Sequence, residues 1–364
     1  MKVLVAILLL IPGLSLAQFS GEGERILHME YMHGFILKHK KQISHLIIGH
    51  PQGIRATLVR QTNGSERWHQ RYNYPEAGLS LIYLDYQNPS LGKSIALIPH
   101  YNVYFTKNRQ AKSRWKYQIG LGLGYNTNKY HRETNNQNNV LGTDLNFGIS
   151  MQLQHQYQIT KDIALLNSVS LTHFSNGSIR KPNSGINTVS FNTGIAYSLS
   201  KKAYSYNFNQ NDPIDKEGLG YTATLSFGMH EATKIGAGSY PFFVLSALAD
   251  KTLNHKSKLG IAIEWFYSES LKRDIKFDPE LAGEEGPDFN RIGIALSHEL
   301  VLGDFSVMSQ LGYYVYDPYK PFTSVYIRAG LRRYFNDNLF ASLCVKSHHA
   351  RAEAAEFALG WRFK

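Results

Sequence analysis

Cysteine is nearly missing from this 364-residue chain: Cys344 is the only one, so an intramolecular disulfide and a thiolate metal cluster are both excluded. Charged side chains are sparse at 18%, too few for a coiled coil, and a hydrophobic content of 43% is too high for a disordered chain. Acidic residues are in deficit, 28 against 39 lysines and arginines, for a formal net charge of +11. That excess fits a nucleic acid or an anionic lipid surface and by itself selects neither. Past the first apolar segment no run of about 18 apolar residues occurs, which excludes a transmembrane helix. No calcium-loop or zinc spacing is present either. The histidines of residues 20–75 (His28, His33, His39, His45, His50, His69) lack tight ligand spacing and read as surface or interface residues, so no metal or other cofactor is expected.

What is abundant is aromatic: 23 Tyr, 19 Phe and 4 Trp accompany 30 Gly, a combination typical of strand-rich proteins. Met1-Lys2, the apolar run Val3 to Ile11, the breaker Pro12-Gly13 and then Ser15-Leu16-Ala17 have the layout of a secretory signal peptide, with cleavage expected after Ala17. Export sets nucleic acid aside as the partner of the positive charge.

The rest of the chain alternates. Trp115, Tyr117, Ile119, Leu121, Leu123 and Tyr125 interleave with Lys116, Gln118, Gly120, Gly122, Gly124 and Asn126. The same period of two runs through Leu259, Ile261, Ile263, Trp265 and Tyr267, through Val325, Ile327, Ala329 and Leu331, and through the closing Phe357, Leu359, Trp361 and Phe363. Successive side chains of a strand face opposite sides, so each segment has one apolar face and one small or polar face. Segments of about 10 to 13 residues suit a tilted strand crossing a bilayer, and aromatics gather at their ends as an interfacial girdle requires. The expected fold is all-β: an antiparallel outer-membrane barrel of about 12 to 16 strands, best counted as 14, filling residues 18–364 as a single domain. Residues 20–75 are less regular and read as either first strands or a periplasmic extension.

With both termini in the periplasm, Ile159 to Lys161, Leu302-Gly303 and Asn336 to Asn338 fall on short periplasmic turns, and 127–143 and 271–288 on long extracellular loops. Residues 200–218 break this rule: they should be a short periplasmic turn and are not, so either the turn is an exception or a strand pair is missing.

One hairpin concentrates the chemistry. On the strand Asp162 to Ser175, parity puts His173 and Ser175 on the apolar, lipid-facing side with Ile163, Leu165, Val169 and Leu171. On the returning strand it puts Asn187 with Val189, Phe191, Ile195, Tyr197 and Leu199. Polar groups facing lipid are costly unless they lie among headgroups. The run His173-Phe174-Ser175-Asn176-Gly177-Ser178, followed by Lys181-Pro182-Asn183-Ser184-Gly185-Ile186-Asn187, resembles the signature of the outer-membrane lipid A 3-O-deacylases, or acyloxyacyl hydrolases. Weaker similarity to the longer members extends over Trp68-His69-Gln70 with Tyr72, Pro75 and Gly78. It continues over Asn135 to Asn139 with Gly142 and Asn146, and over Lys346-Ser347-His348 with Ala350, Ala352, Glu353 and Glu356.

The resemblance implies a lipid A esterase embedded in the outer membrane, with lipopolysaccharide as partner. It implies Ser175 as nucleophile, His173 as general base and Asn183 as oxyanion donor, helped by a backbone N–H of Gly177 or Ser178. Asn176, Lys181 and Arg180 are the expected substrate contacts, the two cations toward lipid A phosphates. One departure stands out: where the family usually has a glutamate to orient the histidine, this chain has Asn187. Exchange of the carboxylate in a serine triad for its amide can cost about 10⁴ in rate, yet Cys-His-Asn sites are natural. The readings are a working Ser-His-Asn site, which we adopt, a carboxylate supplied by Glu353 or Glu356, or a barrel without activity. An outer-membrane phospholipase and a non-catalytic porin or scaffold are the competing functions.

Overall fold

The computed structural model describes residues 23–200, 206, 218–283, 285–349 and 351–363. The expected signal peptide lies outside them. No helix among the described residues is long and apolar enough to cross a membrane.

The strands form two closed antiparallel barrels of eight. The first comprises β1 (Arg25–Ile36), β2 (Gln52–Gln61), β3 (Glu76–Asp85), β4 (Lys93–Tyr104), β5 (Ser113–Asn126), β6 (Leu145–Gln158), β7 (Ile163–Ser175) and β8 (Ile186–Ser198). The second comprises β9 (Leu219–Glu231), β10 (Ser239–Asn254), β11 (Ser257–Ser268), β12 (Arg291–Leu302), β13 (Phe305–Tyr316), β14 (Val325–Tyr334), β15 (Leu339–His348) and β16 (Arg351–Phe363). Pairing of β8 with β1, from Ile26 opposite Ser198 to Ile36 opposite Thr188, closes the first. Pairing of β16 with β9, from Phe357 opposite Phe227 to Phe363 opposite Tyr221, closes the second.

The all-β antiparallel barrel class holds, and the strand number is corrected: among the described residues, sixteen strands in two barrels replace about 14 in one. Alternation reports local hairpins; where a sheet closes depends on pairing between distant strands. Of the two readings of residues 20–75, first strands or a periplasmic extension, the structure has the first: β1 and β2 lie there, with two short helices. The stretch 200–218, which breaks the turn rule, falls almost wholly outside the described residues. It lies between β8 and β9.

Outward faces are apolar, with Leu81, Met151, Phe191 and Ile195 exposed on the first barrel and Ile261, Ile263, Leu296 and Leu311 on the second. Exposed aromatics mark the strand ends: Trp115, Tyr157 and Tyr197 at one end of the first barrel, Tyr221, Trp361 and Phe363 at one end of the second. These are the girdles that seat a barrel at the two interfaces.

Eight strands enclose a space that side chains can fill, and here they fill it with paired polar groups. In the first barrel Glu30 accepts from Gln152 (2.8 Å), Ser168 (3.0 Å) and Gln154 (3.2 Å), and Glu76 holds Lys116 at 2.7 Å. In the second, Glu356 and Glu264 flank Arg328, Glu299 holds Arg332 at 2.7 Å, and Glu353 binds Arg291 (2.7 Å), Lys346 (2.9 Å) and His348 (2.8 Å). A charge removed from water is tolerable only when so paired. Lys346, His348, Glu353 and Glu356 thus line the interior of the second barrel, and the two glutamates are committed there. The idea that one of them supplies a carboxylate to His173 is corrected accordingly.

Within each barrel the antiparallel order sends alternate connections to opposite ends. In the first, the links 37–51, 86–92, 127–144 and 176–185 share one end, and the four-residue turn 159–162 lies at the other. The shared end carries an apolar cluster in which Met32, Ile36, Phe174 and Ile186 from the strands meet Ile43, Leu46, Leu91, Val140 and Leu141 from the links.

Candidate functional site

The site is built on β7 and β8 at that packed end. Parity works as the sequence predicts: Ala164, Ser168, Ser170, Thr172 and Phe174 are buried on the inner face of β7, and His173 and Ser175 stand on the outer face, partly exposed. His173 lies directly opposite Asn187 in the ladder. The inward residues next to them, Phe174 and Ile186, are anchored in the apolar cluster, which holds the two strand ends in register. The Phe174 ring has room because its neighbour is Gly124, where a Cβ would sit 2.4 Å from the ring.

The three polar residues meet. Nδ1 of His173 is 2.7 Å from Oδ1 of Asn187, and Nε2 is 3.0 Å from Oγ of Ser175. The Ser175 hydroxyl thus faces a ring nitrogen whose opposite nitrogen is held by an amide oxygen. Around them on the outer face stand Ile149, Leu171, Val189, Phe35 and Leu37, an apolar collar facing away from the barrel interior. Gly185, with φ +72°, carries the chain past the imidazole: a Cβ there would come within 2.7 Å of Cε1 of His173.

Asn183 lies in the link between β7 and β8, its Oδ1 accepting the backbone N–H of Asn176 at 3.0 Å. Nδ2 of Asn183 is buried and has no hydrogen-bond partner among the described residues. Gly177 to Lys181 pack as part of the second compact unit. There Gly177 O accepts from Ala355 N (3.1 Å), Ser178 O from Glu231 N (2.9 Å), and Ser178 Oγ donates to Ala352 O (2.9 Å). Ser178 has φ +64°, the left-handed conformation that suits glycine. The Lys181 ammonium donates to the carbonyl of Ala232 at 2.9 Å, its backbone N–H to Glu231, and burial pulls its pKa below the ordinary lysine range. Lys181 is thus engaged inside the protein, whereas Arg180 is exposed.

Sequence reasoning missed His39. Read as decoration, it lies beside the site: its Nδ1 is 3.2 Å from Nδ2 of Asn187 and its Nε2 is 3.0 Å from the carbonyl of Ser184. A signal existed, since Phe35, Leu37 and His39 share one parity, but nothing local says that β1 pairs with β8. His33, His45 and His50 are exposed as expected, while His28 and His69 are buried. The asparagines before β6 also have a definite task. Asn135 and Asn138 both donate to the carbonyl of Ser90, at 3.0 and 3.1 Å, and Asn139 donates to Gln42 O at 2.6 Å, tying three links together. Among the described residues no group of His, Cys, Asp and Glu side chains could hold a metal ion.

The comparisons with known proteins meet this geometry at both halves of the chain. The family model "Lipid A 3-O-deacylase (PagL)" matches residues 52–196, and "Acyloxyacyl hydrolase, C-terminal domain" matches residues 219–364. No curated protein matches the sequence. Among solved structures, neisserial surface protein A shares 12% identity over 49% of this chain and 100% of its own, with a TM-score of 0.32. A Rh. blastica porin mutant shares 10% over 93% of this chain and 100% of its own, with a TM-score of 0.20. Scores so low decide nothing; the two family models do, and the chain belongs to the lipid A 3-O-deacylase (acyloxyacyl hydrolase) family of outer-membrane ester hydrolases.

Proposed function

We propose that this chain deacylates lipid A through a Ser175–His173–Asn187 site on the lipid-facing side of the first barrel. The observation that carries the reading is the paired geometry of His173, 3.0 Å from the Ser175 hydroxyl on one side and 2.7 Å from the Asn187 amide oxygen on the other. A serine hydroxyl at its free pKa is a poor nucleophile and needs a base at hydrogen-bond distance.

Ser175 Oγ attacks the ester carbonyl carbon of a hydroxyacyl chain while its proton passes to Nε2 of His173. The tetrahedral oxyanion is met by Asn183 Nδ2–H, the buried donor that has no partner among the described residues. The carbon–oxygen bond to the glucosamine then breaks, and His173 returns the proton to the departing sugar oxygen. Water, deprotonated by His173, attacks the acyl-serine, releasing a hydroxy fatty acid and restoring the Ser175 hydroxyl. Asn187 holds the imidazole with its lone pair toward Ser175. The collar of Phe35, Leu37, Ile149, Leu171 and Val189 suits an acyl chain that never leaves the bilayer. Arg180 is the candidate contact for lipid A phosphates, with this end of the barrel at the outer leaflet.

The test is mass spectrometry of lipid A after incubation of folded protein with lipopolysaccharide in detergent, beside Ser175→Ala. Loss of one hydroxyacyl mass with the unsubstituted protein alone is expected. Equal lipid A from both, with native heat-modifiable gel mobility, would overturn the reading. A parallel incubation with a glycerophospholipid detects phospholipase activity.

A further inference from the structure

We propose that His39 is a positioning residue of this site: as a neutral Nε2–H imidazole it orients the Asn187 amide, and through it sets the tautomer of His173. The inference rests on the Ser175–His173 reading above and deepens it. A glutamate offers His173 an oxygen whichever way it turns. An amide has two unlike ends, and only one of them is useful here.

With Oδ1 toward His173, Asn187 accepts the Nδ1–H proton and leaves the Nε2 lone pair facing Ser175. With Nδ2 toward His173, Nδ1 must accept, Nε2 carries the proton, and Ser175 has no base. The second arrangement is the wrong-tautomer failure of triads whose carboxylate is exchanged for an amide.

The neighbours of His39 select between them. The Ser184 carbonyl can only accept, so His39 Nε2, at 3.0 Å, donates to it. Nδ1 of the neutral ring then carries a lone pair and accepts from Asn187 Nδ2 at 3.2 Å. Oδ1 is thereby left for His173, at 2.7 Å. The Leu37 carbonyl, 3.3 Å from the same Nδ1, has no proton to give and offers the lone pair no alternative. With His39 neutral, the chain Ser184–His39–Asn187–His173–Ser175 has one consistent set of donors and acceptors.

Both ends of this chain are held. Leu37 N–H donates to Asn187 O at 2.8 Å, extending the β1–β8 ladder toward His39. Beyond it the 3₁₀ helix Lys41–Leu46 is fastened by buried Ile43 and Leu46. Asn88 donates to Leu46 O at 2.8 Å, and Ser184 N to Asn139 O at 3.4 Å.

The experiment measures kcat and KM for lipid A deacylation in lipopolysaccharide–detergent micelles, with folding checked by heat-modifiable mobility. His39→Ala is expected to lower kcat roughly 3- to 10-fold at unchanged KM, the worth of one orienting hydrogen bond. His39→Gln recovers most of the loss, since its amide accepts from Asn187 and donates to Ser184. Asn187→Glu removes the need for orientation, so adding His39→Ala to it changes kcat by less than about twofold, the signature of coupled neighbours. An equal loss in both backgrounds, or equal rates for His39→Gln and His39→Ala, overturns the inference, the latter even if Asn187→Glu is inactive. So does a wild-type rate for His39→Ala beside an inactive Ser175→Ala, which spares the esterase reading. An unsubstituted protein as inactive as Ser175→Ala defeats the esterase reading itself.

Discussion

Gly185→Ala isolates how closely the position of the imidazole governs the rate. The substitution has two effects of different kind. An alanine at φ +72° carries the left-handed penalty of about 1–2 kcal/mol. Its Cβ would also lie 2.7 Å from Cε1 and 3.4 Å from Nε2 of His173. Ordinary carbon contacts begin near 3.4 Å, so the ring or the loop has to give by about 0.7 Å. The loop is tied by Gly185 N to Val140 O at 3.0 Å, and the ring by Asn187 and Ser175, so some of that shift falls on the Nε2–Oγ distance. A misplacement of about 1 Å can cost about 10²-fold in rate, so kcat is expected to fall by roughly 10- to 100-fold. Gly236→Ala is the matched control: φ is +81°, and nothing lies within 4 Å of its Cβ. It incurs the same conformational penalty and leaves kcat near the unsubstituted value. Deacylation is followed by mass spectrometry, folding by heat-modifiable mobility. A wild-type rate for folded Gly185→Ala would refute the idea that this imidazole position is the reacting one.

Asn183→Asp keeps the oxygen that accepts from Asn176 N and removes the buried Nδ2–H donor, so kcat should drop about 10²–10³-fold with little change in KM; steady-state kinetics check it. Arg328→Met leaves Glu264 and Glu356 facing each other inside the second barrel, and should destabilise folding by about 3–5 kcal/mol in urea titrations from lipid vesicles. Ile263→Arg puts a charge on the exposed face of β11, mid-strand opposite Ile294 and Ala247, and should cost about 2–4 kcal/mol in the same titration. Ile263→Leu, by comparison, should be nearly neutral.

Much of the site was legible because strand parity is a local property. Once β7 and β8 are strands, His173, Ser175 and Asn187 must share the outer face, and a hairpin must bring Asn187 opposite His173. The short turns read at 159–161, 302–303 and 336–338 lie within a residue of the observed links 159–162, 303–304 and 335–338. In β1 the signal is blurred because the inner face also carries apolar residues, Met32 and Ile36, which pack under the links. The strand therefore looked irregular, and His39 beyond it looked idle.

What the sequence by itself determined is the alternation, the length of each crossing segment, the outward face of the β7–β8 hairpin and the family motif, all set by neighbours within one hairpin. Only the tertiary structure decided that β8 returns to β1 and β16 to β9, so that two filled barrels form instead of one wide one. The same closure brings His39 beside Asn187 and commits Glu353 and Glu356 to the second interior. The physical reason is that backbone hydrogen bonding makes every strand edge seek a partner but does not name it. The choice falls to which faces pack and which buried charges find counterparts across the barrel, and the closing pairs, Ile26 with Ser198 and Phe357 with Phe227, are more than a hundred residues apart in the chain.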